Sequence, residues 1–354
     1  MDFDQSLREN VPLAPMTTLG IGGPARYFAE AENVDLLVQG VKWADARRLP
    51  LFVVGGGSNI VVADNGFPGL VLRVSIRGIE TRVESGDVIV SAGAGEEWEP
   101  LVARCVAENW AGFECLSGIP GRVGATPIQN VGAYGQETSE SLVSVEALDL
   151  MTREFVEFNA SECEFGYRTS RFKTRDRDRF VITRVTYRLT VAGKPAVRYP
   201  ELQRYLADRG ITDASLADVR EAVLAIRRRK AMVIDSTDPD SRSVGSFFVN
   251  PTLTWEEFEE LKQRADRLGE NELPGFETRD GRVKLSAAWL IERAGINRGY
   301  VHGKVGTSTK HALAIINRGG GTAREIAELK KVIQSRVLDA FGIALTPEPV
   351  FVGE

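Results

Sequence analysis

Apolar positions along this chain recur with two periods, and the switches between them mark its elements. Asn33 can cap a helix whose apolar positions Leu36, Leu37, Val41 and Ala44 follow helical spacing. Pro50 ends that helix. Leu51 to Val54 then reads as a short buried strand that runs into Gly55-Gly56-Gly57-Ser58-Asn59 and on to a second strand, Ile60 to Val62. Thr81 to Glu84 and Val88 to Ser91 predict a hairpin around Ser85-Gly86. A helix near Glu97 to Glu108 buries Leu101, Val102, Cys105 and Val106. Strands return at Val143 to Leu150, Glu154 to Phe158 and Phe180 to Leu189, and the charged stretch Thr174 to Arg179 reads as an exposed turn.

The later chain is mostly helical in period. Ser215 caps a helix reaching Lys230, with Asp218 at its third position and Val219, Val223 and Ile226 as its buried stripe. Pro239 and its acidic, serine-bearing neighbours mark a loop or linker. Thr254 with Glu257 and Thr322 with Glu325 are capping-box patterns, and Ser286 opens a helix that Gly295 stops. The last long helix is expected to bury Ile326, Leu329, Ile333, Val337 and Leu338 before Gly342 ends it. No repeat or low-complexity tract interrupts these patterns.

Composition narrows the classes. With 354 residues, 43% hydrophobic and 26% charged, the chain has material for two or three domains and a sizeable core. That excludes disordered, collagen-like and disulfide-stapled chains. No apolar run approaches the roughly 20 residues that span a bilayer, so membrane insertion is not expected. The polar, acidic first ten residues resemble neither a secretory signal nor a basic transit peptide. Three cysteines (Cys105, Cys115, Cys163) without metal spacing suit a reducing compartment, and a cytoplasmic location is expected. A net charge of −5 gives no basic field for nucleic acid. The cluster Arg227 to Lys230 reads on charge alone as a solvated helix end.

Chemistry has few candidates. The only histidines are His302 and His311, with no carboxylate at ligand spacing, so no metal site is expected, nor a Ser-His-Asp or Cys-His nucleophile. Gly20-Ile-Gly22-Gly23-Pro24-Ala25 fits a dinucleotide fingerprint by letter, but it lacks a preceding apolar strand and is interrupted by Pro24, so a turn is expected. Gly55 to Asn59 does follow an apolar strand. Its glycines let backbone N–H groups converge on an anion, although a tight strand connection is the competing reading. The glycine-rich stretch Leu116 to Gly135 tips that balance, because a long rigid loop is costly unless used. Within it, Gln129 and Asn130 can present amides to a heterocycle. Two such loops suggest a dinucleotide, and a flavin suits them better than a nicotinamide.

Seven motifs stand in order along the chain: Thr17 to Ala25, Gly55 to Asn59, Ile119-Pro120-Gly121, Pro127 to Gly135, Tyr167-Arg168, Gly245-Ser246-Phe247-Phe248-Val249-Asn250-Pro251 and Pro347-Glu348. Together they resemble the UDP-N-acetylenolpyruvoylglucosamine reductase family, in its longer class with a mobile tyrosine loop. The resemblance implies an α+β chain of three domains, two forming an FAD-binding module and one an α/β substrate-binding domain. The expected cuts are 1–79, then 80–228 with 342–354, then 229–341 for substrate. It implies noncovalent FAD, since neither histidine lies in a glycine-rich loop. NADPH would be the hydride donor and UDP-N-acetylglucosamine enolpyruvate the substrate reduced, in peptidoglycan precursor synthesis.

The same resemblance implies roles for residues. Ser246 would give a proton to C2 of the enolpyruvyl group, and Arg168 would steady the enolate with its planar fork. Glu348 would be the active-site glutamate, expected to be protonated or to share its charge with Arg168, because a full carboxylate repels a developing anion. Tyr167, Tyr199, Lys230 and Asn250 would hold the nucleotide sugar. Gly55, Gly56, Gly57, Ser58, Asn59, Ile119, Gly121, Gly124, Thr126, Gln129, Asn130 and Gly132 would hold the cofactor. The chain departs from some relatives at Gly56 (acidic there), Val350 (arginine) and His311 (an amide). Two rivals remain open at this stage: an oxidase of the same broad fold, and a nucleotide-sugar-binding regulator without turnover.

Overall fold

The computed structural model describes residues 3–267, 273–278 and 280–353. It separates into two compact units, each assembled from three stretches of chain: 1–11, 25–57 and 67–233 in the first, and 12–24, 58–66 and 234–354 in the second. The expected three-part division cuts by ligand, whereas compactness alone gives these two units.

The first unit contains a parallel ribbon and a larger antiparallel sheet. Strand Phe67–Val74 runs parallel to Pro24–Ala31 on one side and to Leu51–Val54 on the other. The Val34–Ala46 helix covers the ribbon, with Leu36, Leu37, Val41 and Ala44 buried and the Asn33 side chain accepting from the Leu36 N–H at 2.9 Å. Helix Trp98–Ala107 buries Leu101, Val102, Cys105 and Val106 as the pattern predicts, together with Trp98. The hairpin forms between Ile79–Glu84 and Asp87–Gly93, and Ser85 (φ 47°) with Gly86 (φ 94°) makes the left-handed pair that a two-residue turn requires. These strands continue through Phe180–Val191 and Leu142–Asp149 to Phe155–Asn159 in a six-stranded sheet. The 174–179 turn is exposed for the most part, but Asp176 is tucked in against Arg171 at 2.7 Å.

Helices Pro200–Ala207 and Leu216–Arg229 form a smaller core of Leu202, Leu206, Val219, Ala222, Val223 and Ile226 around Cys115. Ser215 and Asp218 close the expected capping box on the second helix.

In the second unit, Ser243–Ser246, Ala314–Asn317, Val305–Thr307 and Val301–His302 make a four-stranded sheet. The Ala323–Phe341 helix packs Ile326, Leu329, Ile333 and Val337 into this unit's core, with Phe247, Phe248 and Leu290 among their companions. Leu338 is a correction. It is 48% exposed, and Phe341 takes the buried place, because Leu338 lies about 100° round the helix from Val337. A second correction concerns Leu51 to Val54, expected as a buried strand: the strand forms, but Leu51 to Val53 are only half-buried. The expected strand beyond the loop, Ile60–Val62, pairs in parallel with Val350–Val352.

The Gly20 to Ala25 segment makes the expected turn. The Gly23 N–H donates to Ala63 O at 2.9 Å, and a Cβ there would come within 2.3 Å of Asp64 O, so glycine serves close packing. Among the described residues no helix is long and apolar enough to cross a membrane.

Candidate active site

The glycine-rich stretch of the first unit is stitched down by its neighbours. Trp98 N–H donates to Gly121 O, Val123 N–H to Glu96 O and Gly124 N–H to Ala94 O. Gly118 is held from both sides, its N–H by the Glu99 carboxylate at 2.5 Å and its carbonyl by Arg227 at 3.2 Å. Glycine is required where backbones touch. A Cβ on Gly56 would lie 2.8 Å from Gly121 Cα, and one on Gly124 would lie 2.5 Å from the Ala94 Cβ. Gly121 adopts φ 125°. The two glycine loops of the sequence therefore meet: Gly55 to Gly57 leaves the carboxyl end of a parallel strand and contacts the 119–124 loop directly.

Thr126 and Asn130 are buried and already engaged. The Thr126 hydroxyl bonds Val123 O and the Tyr187 hydroxyl, and the Asn130 amide donates to Glu137 at 2.7 Å and to Gly166 O. Their side chains fix the loop, and the Thr126 backbone does so too, its N–H donating to Val123 O and its carbonyl accepting from Val131 N–H. Ile119, Gln129 and Gly132 lie on the same stretch, Ile119 and Gln129 half-buried and Gly132 buried.

Tyr167 and Arg168 form the tip of a tight reversal closed by mutual hydrogen bonds between Gly166 and Thr169. Arg168 sits there at φ 54°, an uncommon conformation for a non-glycine residue. Its guanidinium donates to Gly132 O at 2.5 Å, which ties it to the glycine-rich stretch. Tyr199 caps the Pro200–Ala207 helix and sets its ring against Tyr134, edge to face at 5.4 Å. Lys230 ends the neighbouring helix and pairs with Glu201 at 2.5 Å, so Tyr199 and Lys230 occupy the same end of the helix pair.

Arg227 corrects the reading of the basic cluster. Its Nη2 donates to Met232 O at 2.7 Å as well as to Gly118, while its buried Nε finds no acceptor among the described residues. Burial pushes its pKa down, and the nearby Arg168 charge adds to that. Position 227 lies four residues after Val223, on the buried stripe, so helical spacing already carried the signal.

In the second unit, Ser246 closes the Ser243–Ser246 strand immediately after an irregularity. Ser243 pairs with Ile316 and Ser246 with Ala314, so one residue on the partner strand faces two here, and Gly245 takes φ 75°. Such a bulge re-aims the side chain that follows it. Phe247 and Phe248 are fully buried behind it and anchor the segment. Glu348 N–H donates to Phe247 O at 2.9 Å, which brings Glu348 beside the serine's segment. Ser58 and Asn59 also belong to this unit, and Asn59 Nδ2 donates to Glu348 O at 3.3 Å. Val350 N–H donates to Asn59 O at 3.0 Å. The Asn250 side chain accepts from Ala287 N–H at the start of the Ala287–Arg293 helix. Among the described residues no group of three His, Cys, Asp or Glu side chains is placed to hold a metal.

Residues 25–158 match the model of an FAD binding domain, and residues 238–352 match that of the UDP-N-acetylenolpyruvoylglucosamine reductase C-terminal domain. A UDP-N-acetylenolpyruvoylglucosamine reductase from Thermobifida fusca is 50% identical over 353 residues, covering 98% of each chain. The chain belongs to the UDP-N-acetylenolpyruvoylglucosamine reductase family. A second relative of that name, from Saccharopolyspora erythraea, is 46% identical over 96% of this chain and 94% of its own length. The crystal structure of the Thermus caldophilus member shares the fold, with a TM-score of 0.65 at 24% identity over 98% of this chain and 99% of that one. The α+β class expected from the sequence holds for this family member.

The family's flavin suits the residues present. Two glycine loops in backbone contact, one of them leaving the carboxyl end of a parallel strand, present backbone unshielded by side chains, which suits a diphosphate. Sequence reasoning did not single out Tyr134, Glu99 or Glu201: Tyr134 and Glu201 meet Tyr199 and Lys230, and Glu99 joins Arg227 in holding Gly118. Glu99 and Glu201 carry no motif and become visible only through their partners.

Proposed function

We propose that this chain reduces UDP-N-acetylglucosamine enolpyruvate to UDP-N-acetylmuramate at the expense of NADPH, in the cytoplasm, as a step of peptidoglycan precursor synthesis. The observation that carries this reading is the 50% identity, across 98% of both chains, to a relative bearing the reductase name. Noncovalently bound FAD would supply the redox chemistry, accepting hydride from NADPH and delivering it to C3 of the enolpyruvyl group. Gly55 to Asn59, Ile119, Gly121, Gly124, Thr126, Gln129, Asn130 and Gly132 would hold it.

The remaining chemistry belongs to side chains. Ser246 gives a proton to C2. A serine hydroxyl is a weak acid, so it acts only toward a strongly basic centre such as an enolate carbon, and that keeps it inert before reduction. Arg168 draws the charge that builds on the substrate carboxylate, and its tie to Gly132 limits the reorganisation needed. Glu348 lies on the segment bonded to the serine's own, where it can hold the carboxylate end or a shared proton. Tyr199 and Lys230, at one end of the helix pair, suit the sugar and diphosphate, with Tyr167 and Asn250 completing the substrate set. Tyr199, 41% exposed, supports membership of the tyrosine-loop class.

The test is an anaerobic one. Purified protein should be yellow, bleach with NADPH, and recover its colour on addition of the enolpyruvyl nucleotide sugar. Rapid oxygen turnover without that substrate would favour an oxidase, and a colourless protein that FAD cannot reconstitute would favour a regulator.

A further inference from the structure

Arg122 lies in the glycine-rich stretch without belonging to any motif, yet it is one of the few charged side chains in the molecule that is buried, at 6% exposure. Its guanidinium donates to the Val74 carbonyl and, at 2.9 Å, to the Ser75 hydroxyl. Both acceptors are uncharged. The Ser75 hydroxyl in turn donates to Glu30 at 2.9 Å, but that carboxylate already faces Arg8 at 3.7 Å and Arg73 at 4.0 Å. Arg77 nearby faces Glu96 and Glu97. Across this corner the guanidinium groups of Arg8, Arg73, Arg77 and Arg122 outnumber the carboxylates of Glu30, Glu96 and Glu97. Burial, then the charges of Arg73 and Arg77, push the Arg122 pKa down to about 10, so it remains a cation at neutral pH. A buried cation without a direct counter-charge is expensive to keep.

Its place in the fold suggests what answers it. Val54 pairs with Arg73 across the parallel ribbon, so Val74 and Ser75 stand at the carboxyl end of the central strand, beside the point where the neighbouring strand becomes Gly55. At the other end of the side chain, the Arg122 Cβ is 3.8 Å from where a Gly55 Cβ would be, and Gly121 touches Gly56. The side chain therefore runs from the contact of the two glycine loops to the carboxyl ends of the strands, where anionic ligands bind in open parallel sheets.

We propose that Arg122 is a diphosphate-positioning residue, its fixed charge adding to the backbone N–H groups of the two glycine loops in holding the diphosphate of FAD. This rests on the reading that the chain binds FAD. The neutral acceptors fix the guanidinium before the ligand arrives, so little ordering is needed on binding.

Two variants separate charge from hydrogen bonding: Arg122→Lys keeps the charge and loses the fork, and Arg122→Gln keeps a donor and loses the charge. FAD affinity of the stripped full-length protein is read by flavin fluorescence, and the melting temperature of the same stripped protein is read alongside. The expected result is a loss of about tenfold or more for Gln, no more than about threefold for Lys, and an unchanged melting temperature of the stripped Gln variant. Gln binding as well as Lys, or a loss matched by a fall in that melting temperature, overturns the proposal. Should the Gln variant not fold, Lys alone decides, since a loss well beyond threefold contradicts a charge-based role. If the unaltered protein takes up no FAD, it is the flavin reading itself that fails.

Discussion

Gly245 decides what Ser246 can do. Its φ of 75° lets the strand take an extra residue, and the bulge sets the serine's direction while Phe247 and Phe248 fix its depth. Ser246→Ala should therefore leave flavin reduction by NADPH nearly intact in stopped-flow and slow reoxidation by substrate about 10²-fold or more. Equal losses in both phases would make the serine structural. Gly124 is constrained differently, by the Ala94 Cβ against which it packs. Gly124→Ala should cost about 1–3 kcal/mol in urea denaturation, the usual range for overpacking. At this scale the glycines were legible in the chain itself, whereas Ser246 stood out only through its family motif. The chain did not advertise Glu99, which holds the Gly118 N–H.

Elements were the most legible scale, because caps and periodicity are local. Asn33, Ser215, Thr254 and Thr322 all accept or donate as their spacing predicts. Leu338 was misplaced because a list of apolar residues ignores the angle at which each leaves the helix. The consequence can be measured: Ile333→Ala should cost about 2–5 kcal/mol by cavity formation, whereas Leu338→Gln should change stability by less than about 0.5 kcal/mol. Parity of these two effects would mean that the helix sits rotated from its described face. The strands around Gly55 to Asn59 were found, but their pairing was not, since an apolar run records burial and not the identity of its neighbour.

For the whole molecule, each unit carries a carboxylate that resists protonation. In the first, hydrogen bonds from Arg179 hold the Asp149 pKa below the usual carboxylate range. In the second, burial raises that of Asp240, but bonds from Thr309 and Ser308 outweigh it and leave a net depression. A depressed folded value contributes stability above the unfolded pKa, about 3.9 for aspartate, and that contribution is lost as pH falls through the folded value. Urea midpoints should be flat from pH 7 to about pH 5 and then fall below about pH 4, with Asp149→Asn flattening the acid limb. An unchanged limb in that variant would remove Asp149 from the account.

The sequence by itself determined most of the longer helices and their caps, the hairpin, the glycine-rich loops and the ordered motifs of the reductase family, because each is written within a few residues of chain, whereas the Pro200–Ala207 helix was not read from it. Tertiary structure alone decided that Gly55 to Gly57 meets Gly121, that Ile60–Val62 pairs with the carboxyl-terminal strand, and that Arg122 is buried beside Val74 and Ser75. Those contacts join residues far apart along the chain, and their energies depend on burial and approach distance, which a string of residue types does not contain.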